Sequence, residues 1–184
     1  MIQAQTALNM EPDVSYTPPV SAGYTYAQNN QGIDQYYQNI QNWFANNPGS
    51  FVEGHVQQGI ALEAGDTGDY FSIEWIGYFR PLVSGLYKFY TYSDDGSYLW
   101  IGNDALSGFT TNNATVNNGG LHGGQLAGGN VQVNLTAGQY YPIRVQYYEL
   151  QGGQAMQAEW ELNNGGAITD WSGQIFYNPT TNGF

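Results

Sequence analysis

The 184-residue sequence contains no cysteine, which excludes disulfide scaffolds, thiolate zinc sites and cysteine nucleophiles. Basic residues are also scarce, because Arg80, Lys88 and Arg144 face fifteen acidic residues, giving a formal net charge of -12. A surface of this charge repels phosphate backbones and anionic membranes, so nucleic acid is not expected as a partner. Many carboxylates lack a basic counter-ion, and this favours binding of divalent cations.

Long apolar runs are missing too, and no stretch reaches the roughly 20 residues that span a bilayer, so no membrane insertion is expected. The first residues have neither the basic nor the apolar region of a signal peptide, which predicts an excised domain of a larger secreted protein. A composition low in Lys and rich in Asn, Gln, Thr, Gly and Tyr is typical of large bacterial surface proteins. No shift in composition divides the chain, so residues 1–184 are predicted to form one domain that is monomeric when isolated.

The first part of the chain is polar and punctuated by proline, and residues 1–32 are predicted to be an extended lead-in. A helix is predicted next, because Asp34 provides a cap for apolar residues at helical spacing. The run Asn47-Pro48-Gly49 ends it.

After residue 70 the apolar residues alternate with a period of two. Predicted strands cover Phe71–Phe79, Leu86–Tyr92, Tyr98–Ile101, Val131–Leu135, Tyr141–Tyr148 and Ala155–Leu162. Turn residues separate these strands, and no long helices alternate with them, which excludes a parallel α/β scaffold. The fold class predicted is therefore all-β: an antiparallel β-sandwich with one short helix near the N-terminus and long loops at one end. The long Gly/Asn/Thr-rich connection over residues 103–130 is predicted to be a functional loop.

The sequence Ser93-Asp94-Asp95-Gly96-Ser97 places two adjacent acids at a strand end. Neighbouring side chains of a regular strand point to opposite faces, so both carboxylates reach one ion only if the backbone departs from that geometry. A cis peptide bond between Asp94 and Asp95 would bring them together, and a bound dication would compensate the repulsion of the like charges. Calcium suits such a site because it accepts 6–8 oxygen ligands in flexible geometry. Taken alone, however, Asp-Asp-Gly more often forms an ordinary solvated turn.

Four motifs follow one another in an order that resembles a known family: the strand from Phe71, Ser84-Gly85-Leu86-Tyr87, the double aspartate with Leu99-Trp100-Ile101, and Tyr140-Tyr141-Pro142-Ile143-Arg144. Together they resemble the protective-antigen-type lectin domain, and especially its GLEYA branch in yeast flocculins and other adhesins. The resemblance covers about residues 51–171. The absence of cysteine departs from the disulfide-bonded yeast forms and points to a bacterial adhesin of the RTX type.

The resemblance implies a calcium site in which Asp94 and Asp95, joined by a cis peptide, are completed by the loop that follows the Pro-Ile-Arg strand. That loop offers Glu149 or Gln151 as the side-chain ligand, and the choice between them stays open, with Gly153 as a main-chain ligand. Residues expected to contact sugar are Asp94, Asp95, Gln151, Gln154, Asn103 and Asp104.

The function implied is a calcium-dependent lectin module of a cell-surface adhesin and not an enzyme. It would bind terminal sugars of glycans on host or neighbouring cells through vicinal hydroxyls, with fucose-like or glucose-like sugars favoured. Two alternatives are a structural or protein-binding spacer of a large adhesin, and a domain associated with a glycosidase. Glu159 and Glu161 have no supporting motif as a catalytic pair and are predicted to lie on one solvated face.

Core roles are predicted for several other conspicuous residues. The tryptophans at 75, 100 and 160 lie in strand patterns and are predicted to pack in the interior. Arg144, on an apolar strand, is predicted to pair with Glu74. His55 and His122 lack the spacing of metal ligands.

Overall fold

The computed structural model describes residues 8–9, 21–22, 24–29, 50–55, 59–63, 66, 68–178 and 184, with the backbone alone described in the first four ranges. The helix predicted after Asp34 lies outside the described residues. So does most of the predicted 1–32 lead-in, although short strands occur at its described positions. The division of the chain into domains therefore stays a prediction.

Fourteen strands and one short helix make up the described secondary structure. The first seven strands are β1 (Leu8–Asn9), β2 (Ser21–Ala22), β3 (Tyr24–Asn29), β4 (Ser50–His55), β5 (Phe71–Phe79), β6 (Gly85–Asp94) and β7 (Ser97–Ile101). They are followed by α1 (Asn103–Leu106), β8 (Val116–Asn118), β9 (Gln125–Gly128), β10 (Val133–Leu135), β11 (Tyr141–Glu149), β12 (Ala155–Leu162), β13 (Ala167–Ile168) and β14 (Ile175–Tyr177). All six strands predicted from the alternation after residue 70 are confirmed, two of them at both ends.

The strands form two sheets packed face to face, which confirms the predicted all-β sandwich. The six-stranded sheet runs β1-β10-β6-β12-β13, with β9 on the same edge of β6 as β10. The eight-stranded sheet runs β2-β14-β5-β11-β7-β8, with β3 and β4 added beside β5. Apart from the β1–β10 pair, which is parallel, the pairings are antiparallel.

The core lies between the two sheets and is aromatic. Strand alternation turns every second side chain of β5, β6, β11 and β12 inward. Among the buried side chains are Trp75, Phe79, Phe89, Trp160 and Trp171. Phe79 contacts Phe89 and Trp171 edge to face, with ring centroids 5.6 Å apart in both pairs. Burying each such ring contributes about 2–3 kcal/mol, so this layer holds the strand ends in place.

A second, smaller cluster covers the outer face of β7 and β11. It contains Tyr98, Trp100, Ala105 and Tyr148, with Phe109, Ala114 and Phe184 packed against it. The prediction of one long loop over residues 103–130 is therefore wrong. Their first half, including α1, packs on this outer face, while their second half forms β8 and β9.

None of the helices in the described ranges has the length and apolar character needed to cross a membrane.

Candidate functional site

Three connections cross from one sheet to the other at the same end of the sandwich. The turn at Asp95-Gly96 joins β6 to β7, residues 119–124 join β8 to β9, and residues 150–154 join β11 to β12. The register places them together, because Asp94 pairs with Ala155 and Ser97 pairs with both Tyr147 and Asn118. Side chains at these three crossings therefore converge.

Three carboxylates meet at this end of the molecule. Asp94, Asp95 and Glu149 each offer one oxygen atom, and these oxygens all lie within 4.8 Å of one another. The peptide bond between Asp94 and Asp95 is cis, as the adjacent acids predicted. Asp95 and Glu149 are buried, with 7% and 0% exposure, whereas Asp94 is half-buried. The cluster is therefore open to solvent on the Asp94 side.

Main-chain groups of the two neighbouring crossings hold Asp95 in place. The backbone N–H of His122 donates to Asp95 Oδ1 (2.9 Å), and the backbone N–H of Leu150 donates to Asp95 Oδ2 (3.0 Å). The N–H of Asp95 itself donates to Glu149 Oε2 (3.1 Å). This residue thus links all three crossings, and its carboxylate orientation is set by backbone rather than by mobile side chains.

Glu149 is the most buried acid of the cluster. Its Oε2 accepts hydrogen bonds from the Asp95 N–H and from the Tyr147 hydroxyl (3.2 Å). Its Oε1 is buried and has no hydrogen-bond partner among the described residues. Burial, followed by the nearby Asp95 charge, raises the pKa of Glu149 from 4.5 to about 7.

Two tyrosines fix the ends of the crossings. The Tyr147 hydroxyl also donates to the Asp94 carbonyl (2.6 Å), and burial together with the Glu149 charge raises its pKa, so the hydroxyl remains a donor. The Tyr148 hydroxyl accepts from the Gly120 N–H (2.7 Å) and donates to the Gly120 carbonyl (2.8 Å). The Tyr148 ring also lies against the α-carbon of Gly96, where any side chain would collide with it.

A polar network packs behind the acids and ties the sheets together. Ser93 and Ser97 share a hydrogen bond (2.7 Å), and the side-chain amide of Asn118 donates to Ser93 Oγ (3.0 Å) and to the Gln125 carbonyl (3.0 Å). Asn118 joins β8 to the start of β9, on either side of the 119–124 turn. That turn is therefore held firmly over Asp95.

The unpartnered Oε1 of Glu149 tests whether a divalent cation fits. A buried carboxylate oxygen without a donor is costly unless a positive charge satisfies it. A cation close to Asp94 and Asp95 would satisfy it and would relieve the repulsion among three acids. An all-oxygen donor set is the preference of calcium and magnesium, and the donors therefore fit such an ion.

The structure brings some of the predicted ligands into this cluster. Glu149 lies in it, whereas Gln151 is exposed on the 150–154 crossing. Gly153 lies beside Asp94, because a side-chain carbon placed on it would be 3.4 Å from Asp94 Oδ2. Gln154 is half-buried, immediately before the residue that pairs with Asp94.

Asn103 and Asp104 are not brought to the cluster, which corrects their grouping with the other sugar-binding candidates. Both are exposed in α1, whose Ala105 carbonyl accepts from Arg144 Nε (2.9 Å). Arg144 precedes Glu149 by five residues of extended strand, or about 17 Å at ~3.4 Å per residue. The two residues follow the end of β7, whereas Asp94 and Asp95 precede its start, so the length of β7 separates them from the acid cluster.

The predicted core roles are mostly confirmed. The three tryptophans at 75, 100 and 160 are buried, and Arg144 forms an ion pair with Glu74 (2.5 Å). Glu161 differs from the prediction, because it is buried and accepts a hydrogen bond from the Tyr90 hydroxyl (2.5 Å). An aromatic ring on the neighbouring strand thus covers part of the face that alternation alone marked as solvated.

Sequence reasoning missed the part that residues 119–124 play. His122 was considered only as a side-chain ligand, whereas its backbone N–H holds Asp95. Tyr147 was also missed, because an aromatic residue in an apolar strand predicts packing, not a hydroxyl directed at two acids. The glycine pairs at 119–120 and 123–124 are the sequence feature that could have indicated this role, because glycine lets the backbone of the turn pack closely against neighbouring side chains.

Solved structures of other proteins share the fold of this chain. The A domain of Epithelial Adhesin 9 from Candida glabrata, in complex with Galb1-3GlcNAc, has a TM-score of 0.69 at 18% identity, covering 93% of this chain and 96% of that chain. A PA14 sugar-binding domain from an RTX adhesin has a TM-score of 0.62 at 13% identity, covering 86% of this chain and 99% of that chain. These likenesses establish the fold, which this chain shares with the adhesin A domain and the PA14 domain.

Residues 71–161 match the GLEYA domain, from the start of β5 into β12. This part of the chain is therefore similar to a GLEYA domain of the PA14 lectin type, and the acid cluster lies within it. Domains of this class bind carbohydrate and are not catalytic, so the domain is a binding module and not an enzyme.

A curated relative places a similar segment in another kind of protein. Anti-sigma-I factor RsgI3 from Acetivibrio thermocellus is 32% identical over 82 residues, which cover 44% of this chain and 11% of that protein. The chain thus matches only a small part of the relative's length.

Proposed function

We propose that this chain is a calcium-dependent carbohydrate-binding module that recognises terminal sugars of glycans at a cell surface. One observation carries the proposal. Three carboxylates converge within 4.8 Å at the loop end of a lectin-type sandwich, and one of their oxygens is buried without a partner.

Asp94, Asp95 and Glu149 would hold the calcium, with the main chain near Gly153 beside them and Gln151 available from the same crossing. Calcium takes more oxygen ligands than these side chains supply, so positions remain for two adjacent sugar hydroxyls. The hydrogen bonds from His122 and Leu150 orient Asp95 before the ion arrives, which lowers the entropic cost of forming the site.

The sugar would be recognised from the Asp94 side, where Gln151 is exposed and Gln154 half-buried. Vicinal hydroxyls of a fucose-like or glucose-like sugar satisfy the proposed chemistry, and the galactose-containing ligand of the Candida glabrata adhesin adds a third class to test. A small, open site buries little area, so each contact would be weak and attachment would depend on many copies.

The parent protein would be a secreted or surface-anchored adhesin, as the structural neighbours from adhesins favour. The relative named an anti-sigma-I factor favours a second setting, in which the same domain is part of a regulatory protein. The proposed carbohydrate site is common to both settings, and the sequence of the complete parent protein distinguishes them.

The experiment is a calorimetric titration of the domain with calcium, followed by binding to a printed glycan array with calcium or with chelator. Asp94→Asn keeps the shape of the half-buried ligand and removes its charge, so calcium affinity is expected to fall more than about tenfold and glycan binding to disappear. Glu159→Gln is the matched control, because it removes a half-buried acid on β12, outside the cluster.

Three results would contradict the proposal in different ways. An unchanged calcium affinity in Asp94→Asn would show that calcium does not bind at the acid cluster. Calcium binding without glycan binding would support the structural-spacer alternative. Glycan binding that persists in chelator would show that sugar recognition does not require calcium.

A further inference from the structure

One of the three acids of the cluster reaches the surface. Asp95 and Glu149 are buried beneath the crossings, and the half-buried Asp94 is the cluster's exposed edge. Strand alternation turns Ser93 into the interior and Asp94 toward the outer face of the six-stranded sheet. The exposed edge of the cluster therefore borders this outer face.

An exposed aromatic side chain lies next on that face. Tyr92 is two residues before Asp94 in β6, so both side chains point outward about 7 Å apart. Tyr92 is 40% exposed, so part of its ring faces solvent. Its register partner in β9 is Leu126, which is 56% exposed.

The third member of this surface comes from the 119–124 crossing. Leu121 is 57% exposed and immediately precedes His122, whose N–H holds Asp95. Tyr92 and Leu126 are paired on the outer face, and Leu121 lies on the crossing whose next residue holds Asp95. These three exposed side chains are here called the Tyr92 strip.

The backbone positions the Tyr92 ring. Its hydroxyl lies against the α-carbon of Gly124, so close that any side chain at residue 124 would collide with it. The ring is therefore supported by the end of the crossing that holds Asp95, and its exposed surface remains available next to the acids.

We propose that the Tyr92 strip is a second subsite, in which the sugar that follows the terminal one packs its apolar C–H face on the Tyr92 ring. The proposal rests on the proposed function, since the first sugar must sit at the acids. A pyranose ring has an apolar face and a polar rim, so packing it on an aromatic ring removes apolar surface of both from water. The strip begins two residues from Asp94, the exposed edge of the acid cluster.

The subsite predicts a preference for disaccharides over monosaccharides. In the presence of calcium, the wild-type domain is tested against immobilised galactose, glucose and fucose and against lactose and Galβ1-3GlcNAc. Disaccharides whose terminal sugar binds are expected to bind about tenfold more tightly than that sugar alone. Tyr92→Ala is expected to remove this advantage while leaving monosaccharide and calcium affinities within about twofold of wild type.

Two further variants separate stacking from general effects. Tyr92→Phe retains the ring and is expected to restore the disaccharide preference. Leu82→Ala removes an apolar side chain that is 60% exposed between β5 and β6, and it serves as the control for loss of surface apolar area. Melting temperatures and calcium titrations of all variants show whether the fold and the ion site are intact.

The outcomes of this experiment are distinguishable from those of the proposed function. Absence of calcium-dependent binding to every sugar in the wild type would overturn both proposals. Calcium-dependent binding with a disaccharide preference that persists in Tyr92→Ala, or with no such preference in the wild type, would overturn the second subsite and leave the proposed function standing.

Discussion

Replacing Glu149 by glutamine is expected to stabilise the calcium-free protein while weakening calcium binding. The carboxyl is fully buried, one oxygen has no partner, and burial with the Asp95 charge raises its pKa to about 7. The gap from its ordinary 4.5, at about 1.4 kcal/mol per pH unit, corresponds to about 3 kcal/mol of folding free energy lost when the group is ionised.

Glutamine fits the same space. Its amide oxygen keeps the acceptor for Asp95 N–H and the Tyr147 hydroxyl, while its NH₂ group takes the place of the unpartnered oxygen, near the carboxylates of Asp94 and Asp95. Without calcium at pH 8, we expect Glu149→Gln to be more stable than wild type by about 2 kcal/mol. For a chain of this size, that raises Tm by about 4–8 °C.

The effect depends on pH in a defined direction. Because the folded pKa of Glu149 lies above its unfolded value, the folded state binds the proton more tightly. The wild type therefore loses this stabilisation as pH rises from about 4.5 to about 7, and the glutamine variant does not. The difference in Tm between the two proteins is expected to be full above pH 7 and to vanish near pH 4.5.

Thermal melts in chelator and in calcium, at pH 8 and pH 5, provide the assay. Calcium is expected to raise the Tm of the wild type and of the Glu159→Gln control, and to raise that of Glu149→Gln much less. A Glu149→Gln protein no more stable than wild type at pH 8 in chelator would refute the assignment of Glu149 as a strained acid. An undiminished response to calcium would refute its role as a ligand.

Calcium must displace the Glu149 proton below about pH 7, so we expect the Kd for calcium, measured by calorimetry, to be flat well above pH 7. As pH falls below 7 the Kd should rise, approaching about tenfold per pH unit, and a flat profile would count against this residue. Gly96→Ala places a methyl group against the Tyr148 ring and should cost about 1–3 kcal/mol in urea unfolding, whereas an unchanged midpoint would show that the ring shifts freely. Glu74→Ala leaves the Arg144 charge buried without its carboxylate and should cost about 3 kcal/mol, and a cost below 1 kcal/mol would show that the charge finds water.

Local patterns were sufficient for the strands and for two of the three acids. Period-two alternation located six strands between Phe71 and Leu162, because a half-buried strand must alternate, but it missed β8, whose Val116 is also buried in the inner core. The pair Asp94-Asp95 alone also fits a solvated turn, and it marked the site because the motifs around it resemble those of a calcium-binding lectin family. For Glu149 and Gln151 the sequence left a choice, since both lie at the end of the same strand.

Tertiary structure decided which residues meet. Glu149 joins the acids and Asn103 does not, because the pairing of β7 with β11 places Glu149 at one end of the strands and α1 at the other. The backbone N–H of His122 reaches Asp95 only because β8 and β9 belong to different sheets and their connection crosses the same end of the sandwich. Spacing in the sequence gives only the distance along the chain. It predicts neither the approach of Glu149 to the acid pair nor that of the His122 N–H to Asp95.

The sequence by itself determined the fold class and the acidic pair, since alternation, turn residues and charge act over a few residues. Only the tertiary structure decided the third acid, the main-chain donors around it and the exposed side chain of Tyr92 beside it. These contacts join residues 27 to 55 positions apart, and they arise from strand register and from the crossings between sheets.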